Sequence, residues 1–552
     1  MRPRLPIRRF LLRRPLRPPN SLRPFTQNTL ATRPRPQVPF LSSPTRRPTA
    51  ARFLTTERKQ WIKQEVWKAG KYTTVIWTLT VLIAMMAFGV QQEWLERKFP
   101  SPREWSWISR KDFRSTRWDE DADDERDGLV DWARTGEGFR RLIRRLEDPN
   151  IDGAGLQEQD EGGILVAGVG KTGFDISKKP EPWRRGYYTV LMGAAKAAEH
   201  LDGWVRDKTR NVAFPANVVI GPSNPNPQPV PPGAKSAPRE EDCETAFEAP
   251  ETYYMRILTT RGFSEKQRVD AALAYAAWLD FKRTPEAALE MYKWALDIAT
   301  SSTPQSIVDP ATGVINSDAG LPSENILTTA TALAVHHAVN SDPNSALPIF
   351  LSVLRARKSL PDVPSAKLST HVPDEEARGM FKSTLSTITS AIIPPQYPPA
   401  PSDGTSTPFR ESKERCEEAG IMTYIGEILY ASKISKTSKE DGLAWTREAV
   451  DIAEEELRSR RVNNEGKKTC KQCLEVGLGN WAAMVTLLAK EEKDAKVQNG
   501  KGISWLSFGG ESPKEISGRW ESEEQVVKER TRRASEVLTD SAGKSGSSWL
   551  AM

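Results

Sequence analysis

Residues 269–299 read VDAALAYAAWLDFKRTPEAALEMYKWALDIA, and their spacing decides the fold. Lys282-Arg283-Thr284 followed by Pro285 supplies a helix end, a turn and a proline suited to the first turn of a new helix. Beyond it Ala288, Tyr292, Ala295 and Ala299 fall at i, i+4, i+7 and i+11, one face of a 3.6-residue period. Three of the four are alanine. Small residues let a neighbouring helix approach closely, and the tyrosine fills the space between them. The stretch predicts two antiparallel helices, with Ala276 as the small residue midway along the first.

Outward from it, the pattern returns at 327–360. Leu333 and Ala334 take the first-helix position, SDPN at 341–344 the turn, and Ala346, Phe350 and Val353 the second-helix set. A third copy pairs Ile425-Gly426 with Gly442-Leu443, and its AVDIA (449–453, opening on Ala449) echoes ALDIA (295–299). There Thr446 stands where an aromatic is expected. Leu478–Trp481 opens a fourth, with 521–539 as its second helix, while Phe139–Glu147 and Tyr187–Val205 read as degenerate helices of earlier repeats. A small–aromatic–small order at intervals of four and three resembles the 34-residue tetratricopeptide repeat. The resemblance implies an all-α fold, a tetratricopeptide-like helix-pair solenoid after one N-terminal transmembrane helix. The copies are unevenly spaced, 58 residues from Ala288 to Ala346 and 96 to Gly442, so an irregular all-helical domain stays open as the alternative.

The transmembrane helix is Tyr72–Val90, YTTVIWTLTVLIAMMAFGV, which has no charged residue. At 1.5 Å per residue it covers roughly 28 Å, about the thickness of a bilayer's hydrocarbon core. Trp61, Trp67, Lys68 and Lys71 precede it, and Trp94, Arg97, Lys98 and Trp105 follow, as aromatic and snorkelling anchors would. Residues 1–56 hold 13 Arg, no Lys and no acidic residue, the composition of a mitochondrial presequence ending near Leu54. Those arginines turn a whole-chain charge of +7 into −6 for the remainder, which argues against nucleic acid as a partner. A presequence that leads into the matrix and a span that stops in the inner membrane would leave the C-terminal domain in the intermembrane space.

The layout expected is a disordered presequence (1–54), a matrix-side flank (55–71), the span (72–90) and a juxtamembrane linker (91–127). In that linker Trp105, Trp107 and Trp118 rest at the interface and the acidic run DEDADDERD (119–127) leads away. Degenerate helical repeats (128–214), a Pro-rich insert (215–250) and two tetratricopeptide-like repeats (251–360) follow. A Pro-rich insert region with a short helix (361–410), further tetratricopeptide-like helices (411–540) and a tail (541–552) complete the chain.

Little catalytic chemistry is legible. GILVAGVGKTG (163–173) carries Gly-Lys-Thr, but Leu165 stands where a phosphate loop needs its first glycine, so a loop or short hairpin is expected. Cys470 and Cys473 form one CxxC; Cys243 and Cys416 are isolated, so the four ligands of a zinc site are not assembled. In an oxidising compartment Cys470 and Cys473 could pair as a local disulfide. His336 and His337 sit in a first helix and read as packing residues. No cofactor, no metal and no enzyme activity are expected.

Presequence, one span and a tetratricopeptide-like array, in that order, resemble the fungal adaptor subunit of the mitochondrial inner-membrane i-AAA protease complex. The resemblance implies an adaptor whose protein partners are the protease and unfolded clients. An assembly factor for a respiratory complex is the alternative within the binding class, and a thiol oxidoreductase using Cys470 and Cys473 the alternative among enzymes.

Overall fold

The computed structural model describes residues 56–121, 130–158, 165–166, 170–171, 173–230, 236–303, 307–316, 318–363, 397–432, 437–459, 463–500 and 518–546. The expected presequence, most of the acidic run and the end of the tail lie outside them. Among the described residues the chain is mostly helical, with thirteen α-helices and a few short strands.

The first helix, α1 (Thr56–Lys98), runs for 43 residues, and every residue of the 72–90 stretch is exposed. The four threonines of that stretch bond to the helix's own carbonyls. The hydroxyls of Thr73, Thr74 and Thr80 donate to the carbonyls of Ala69, Gly70 and Ile76 at 2.7–2.8 Å, and Thr78 to Val75 at 2.9 Å. A stretch whose threonine hydroxyls bond to its own backbone, with no protein over its apolar residues, has the surface that hydrocarbon requires. The chain divides into two units at Met86, inside this helix.

The helices α2 (Trp107–Glu120), α3 (Trp132–Glu147), α4 (Glu181–His200) and α5 (Pro250–Thr259) share one core. Phe139, Leu142 and Leu146 pack with Trp183, Tyr187 and Leu191, and the Phe139 ring occupies the space a Cβ on Gly193 would need. Two expectations fail here. Trp105 is buried in this core, edge-on to Phe113 at 5.4 Å, because Gly186 on α4 leaves room for its ring. The helix expected to run to Val205 ends at His200, and Gly203, at φ +73°, turns the chain into a strand.

Short strands complete this region. β1 (Gln157–Glu158) pairs with β4 (Phe174–Asp175), and β2 (Leu165–Val166) with β3 (Gly170–Lys171), both antiparallel. Gly170 and Lys171 thus lie in a strand, followed by β4 rather than by a helix. β5 (Trp204–Asp207) lies between β6 (Val212–Pro215) and β7 (Cys243–Thr245), the last within the expected Pro-rich insert. The Asp207 carboxylate closes the β5–β6 turn by accepting from Thr209 and Arg210.

Two helix pairs follow with the same turn. α6 (Glu265–Phe281) joins α7 (Pro285–Thr300), and α8 (Glu324–Val339) joins α9 (Pro343–Lys358). Arg283 (φ 60°) and Ser341 (φ 62°) are 58 residues apart, each two residues before the proline that opens the second helix. The next amide bonds back to the first helix in both, Thr284 to Leu279 at 3.0 Å and Asp342 to His337 at 2.9 Å. Between the pairs, Ile307, Val308 and Ile315 are buried, and Ser352 on α9 accepts the Ile315 amide at 3.1 Å. This packed connection lengthens the repeat to 58 residues.

In the third pair, α10 (Ser412–Ala431) and α11 (Ser438–Arg458), the backbones themselves touch. A Cβ on Gly442 would stand 2.5 Å from the Gly426 carbonyl oxygen and 2.7 Å from the Tyr430 amide. That contact leaves no room for an aromatic, which is why Thr446 serves at this position. α12 (Asn464–Gly500) packs on both helices, and α13 (Arg519–Gly546) packs on α12.

Within the expected Pro-rich insert region (361–410), residues 397–406 form a docked strap. Arg185 on α4 lies over the Tyr397 ring at 4.4 Å and donates to the carbonyls of Pro398 and Pro399 at 2.6 and 2.8 Å. Asp403 Oδ1 accepts from the Lys266 amide, Gly404 O from Asn325 and Ser406 O from Glu324. Those amides belong to the first turns of α6 and α8, which a helix cannot satisfy internally. Gly404 sits at φ +70°, and a Cβ there would collide with the Asn325 side chain.

Gly442→Ala should destabilise the chain by about 1–3 kcal/mol, because the obstructing atoms are backbone. Gly420→Ala, with nothing within 4 Å of its Cβ position, should stabilise by about 0.5–1 kcal/mol. Thermal unfolding followed by circular dichroism reads both. Ala288→Trp and Ala295→Trp, at fully buried positions, should each cost about 1–3 kcal/mol or more by the same measurement. Gly404→Ala should release the strap, seen as faster amide exchange at Lys266, Glu324 and Asn325.

Candidate binding groove

The first helices of successive pairs leave two open grooves. The larger, about 990 Å³, is lined by Tyr188, Met192 and Lys196 on α4, Tyr254 on α5, and Trp278 and Phe281 on α6. Spacings of four on α4 and of three on α6 set these side chains on one face of each helix. The Trp278 and Phe281 rings stack at 5.7 Å. The second groove, about 490 Å³, lies between Val335, Ala338 and Val339 on α8 and Tyr424, Ile428 and Ala431 on α10.

Both grooves use the same face of the repeat. Phe281 and Val339 stand at equivalent positions 58 residues apart, and they are 77% and 72% exposed. Large apolar side chains left in water at matching positions are the surface that a partner would cover. Phe350 backs the second groove, its ring stacked on Tyr424 at 5.4 Å.

Polar groups on the larger groove carry both signs. Burial pushes the Glu199 carboxyl up, while the Tyr254 hydroxyl, which donates to it at 2.7 Å, and Lys196 oppose the shift. Burial and the nearby Lys196 push His200 down, and its ring stacks on Trp132 at 4.1 Å. Lys282 pairs with Asp202 at 2.5 Å and lies over the Trp278 ring at 5.2 Å. An aromatic slot with a few oriented charges suits an extended peptide with apolar side chains.

Every residue singled out for repeat packing is buried: Ala276, Ala288, Tyr292, Ala295, Leu333, Ala334, Ala346, Phe350, Gly426, Gly442 and Ala449. They hold the helices behind the grooves and, in the main, do not line them. His336 is buried as well, with Nδ1 at 2.9 Å from both oxygens of Asp280. This pair ties α8 to α6, and Tyr292 bonds to the same carboxylate from α7.

The cysteines differ from the expected pairing of Cys470 with Cys473. Cys470 on α12 is bonded to Cys416 on α10, their Cα atoms 5.0 Å apart and both side chains fully buried. Packing of α10 on α12 supplies this partner from outside the CxxC. Cys473, one turn on, is a free buried thiol pushed up to about 12 by burial, with Glu417 adding to the shift and Thr423 opposing it. Among the described residues no group of histidine, cysteine and acidic side chains is arranged to hold a metal ion.

Sequence reasoning missed Trp278, Phe281 and Val339 as groove residues and Cys416 as a disulfide partner. The first three carry a signal: they sit on the face of their helices opposite the buried small residues and are still apolar. No family model, no curated protein and no solved structure matches the chain.

Proposed function

We propose that this chain is a membrane-anchored, tetratricopeptide-like adaptor whose grooves hold extended apolar segments of protein partners. The observation that carries the reading is the pair of equivalent exposed residues, Phe281 and Val339, on successive first helices. Stacked helix pairs make a continuous surface of this kind, and one apolar helix confines it near membrane-embedded clients. The arginine-rich, acid-free N-terminus supports delivery to mitochondria with the span in the inner membrane. The partners proposed are an inner-membrane AAA protease and its unfolded clients.

An enzymatic role through the cysteines is disfavoured on physical grounds. The Cys416–Cys470 bond is closed off from any partner, and the elevated Cys473 thiol supplies almost no thiolate at neutral pH. A disulfide closing a 54-residue separation contributes to stability instead, about 4 kcal/mol in the chain-entropy account.

The test is capture of crosslinked partners from mitochondria carrying Phe281→Glu or Val339→Glu. Each should lower partner recovery roughly tenfold or more while thermal unfolding stays unchanged, and Val476→Glu, on exposed α12 surface, should not. Full recovery with both grooves altered would refute the groove reading. Cys416→Ser should lower the unfolding temperature markedly, and Cys473→Ser should leave partner recovery intact.

A further inference from the structure

Residues 99–106 reverse the chain, so that α2 starts beside α1 rather than beyond its end. The Phe88 and Trp107 rings are 6.3 Å apart, Arg114 donates to Gln92 at 2.9 Å, Trp94 meets Trp118 at 5.1 Å, and Lys98 pairs with Asp121 at 2.7 Å. These contacts climb both helices in the same direction. The first turn of α2 therefore lies level with Phe88, two residues inside the apolar stretch, or about 3 Å at 1.5 Å per residue.

The register is held by buried polar contacts. Glu96 accepts from the Ser101 amide and hydroxyl and pairs with Arg110 at 3.1 Å and with the buried Arg114. Asp152 accepts from the Ser106 amide at 2.7 Å and the Ser109 hydroxyl at 2.5 Å, which brings the loop carrying Ile151 to the same end. Three separate segments thus leave apolar side chains uncovered there: Phe88 (40% exposed), Trp107 (57%), Ile108 (49%) and Ile151 (40%).

We infer that this end of the folded region seats in the headgroup–hydrocarbon boundary, so that the bilayer surface itself is a binding partner of the array. The inference rests on reading Tyr72–Val90 as a span. Lipid is the occupant favoured because Phe88 belongs to both the patch and the span, and tryptophan is a residue the interface recruits. A second copy of the chain has no such continuity with the patch.

The test places a nitroxide at Ile108→Cys, Ile151→Cys, Val81→Cys or Glu286→Cys in the full chain carrying Cys243→Ser, in phosphatidylcholine vesicles. Collisions with an aqueous nickel chelate should be severalfold rarer at 108 and 151 than at 286, and collisions with oxygen more frequent. Nickel access at 108 equal to that at 286, with 81 shielded, would overturn the seating while leaving the span intact. Nickel access at 81 would overturn the span and the seating together. Dipolar broadening between labels at 108 would show that a second copy covers the patch instead.

Discussion

Contact between small residues is the constraint on which the helical array depends. Ala288, Ala295 and Ala299 on α7 and Ala346 on α9 are fully buried, and each lets a neighbouring helix come close enough for its larger side chains to interlock. Between α10 and α11 the same device reaches its limit, with Gly426 and Gly442 in backbone contact. Close pairing sets successive first helices side by side, and the grooves are the space their outer faces enclose. A bulkier residue behind a groove would change its width without touching its lining.

Sequence periodicity made this pairing legible, because small and aromatic residues at intervals of four and three record a helix–helix contact directly. The turn was legible too, through KRTP and SDPN, although the left-handed residues proved to be Arg283 and Ser341, with neither glycine nor asparagine to mark them. Elsewhere the determinants are remote. Arg185 meets prolines more than two hundred positions away, and Cys470 finds Cys416 across 54 residues. Composition marks 361–410 as a Pro-rich insert because such a stretch cannot build a packed core. It could not register that proline carbonyls remain free to accept a guanidinium. Trp105 was misplaced for a related reason: proximity to a span suggested an interface, while Gly186 had made a socket for it.

The polar network at the end of α1 fixes how that end enters the folded region. A linker rich in charge would leave that end without packed partners. Glu96, Ser101, Arg110 and Arg114 instead continue the helix into the folded region through buried contacts. Buried pairs of this sort are costly to form and costly to break, so their value lies in fixing one geometry. The last turns of α1 and the first turns of α2 are thereby locked in one register.

The strap has a consequence for how the chain is built. Its bonds span 214 residues to α4 and 137 to α6, among the longest sequence separations in the fold, whereas each helix pair closes within a few tens of residues. Loop-closure entropy makes such connections late events. During synthesis the helix pairs can form as they emerge, with Ser264 and Ser323 capping α6 and α8, but the Lys266, Glu324 and Asn325 amides lack their strap acceptors until residues 397–406 arrive. The nascent array therefore passes through an interval with these three amides exposed, and completion of one short extended segment marks its maturation.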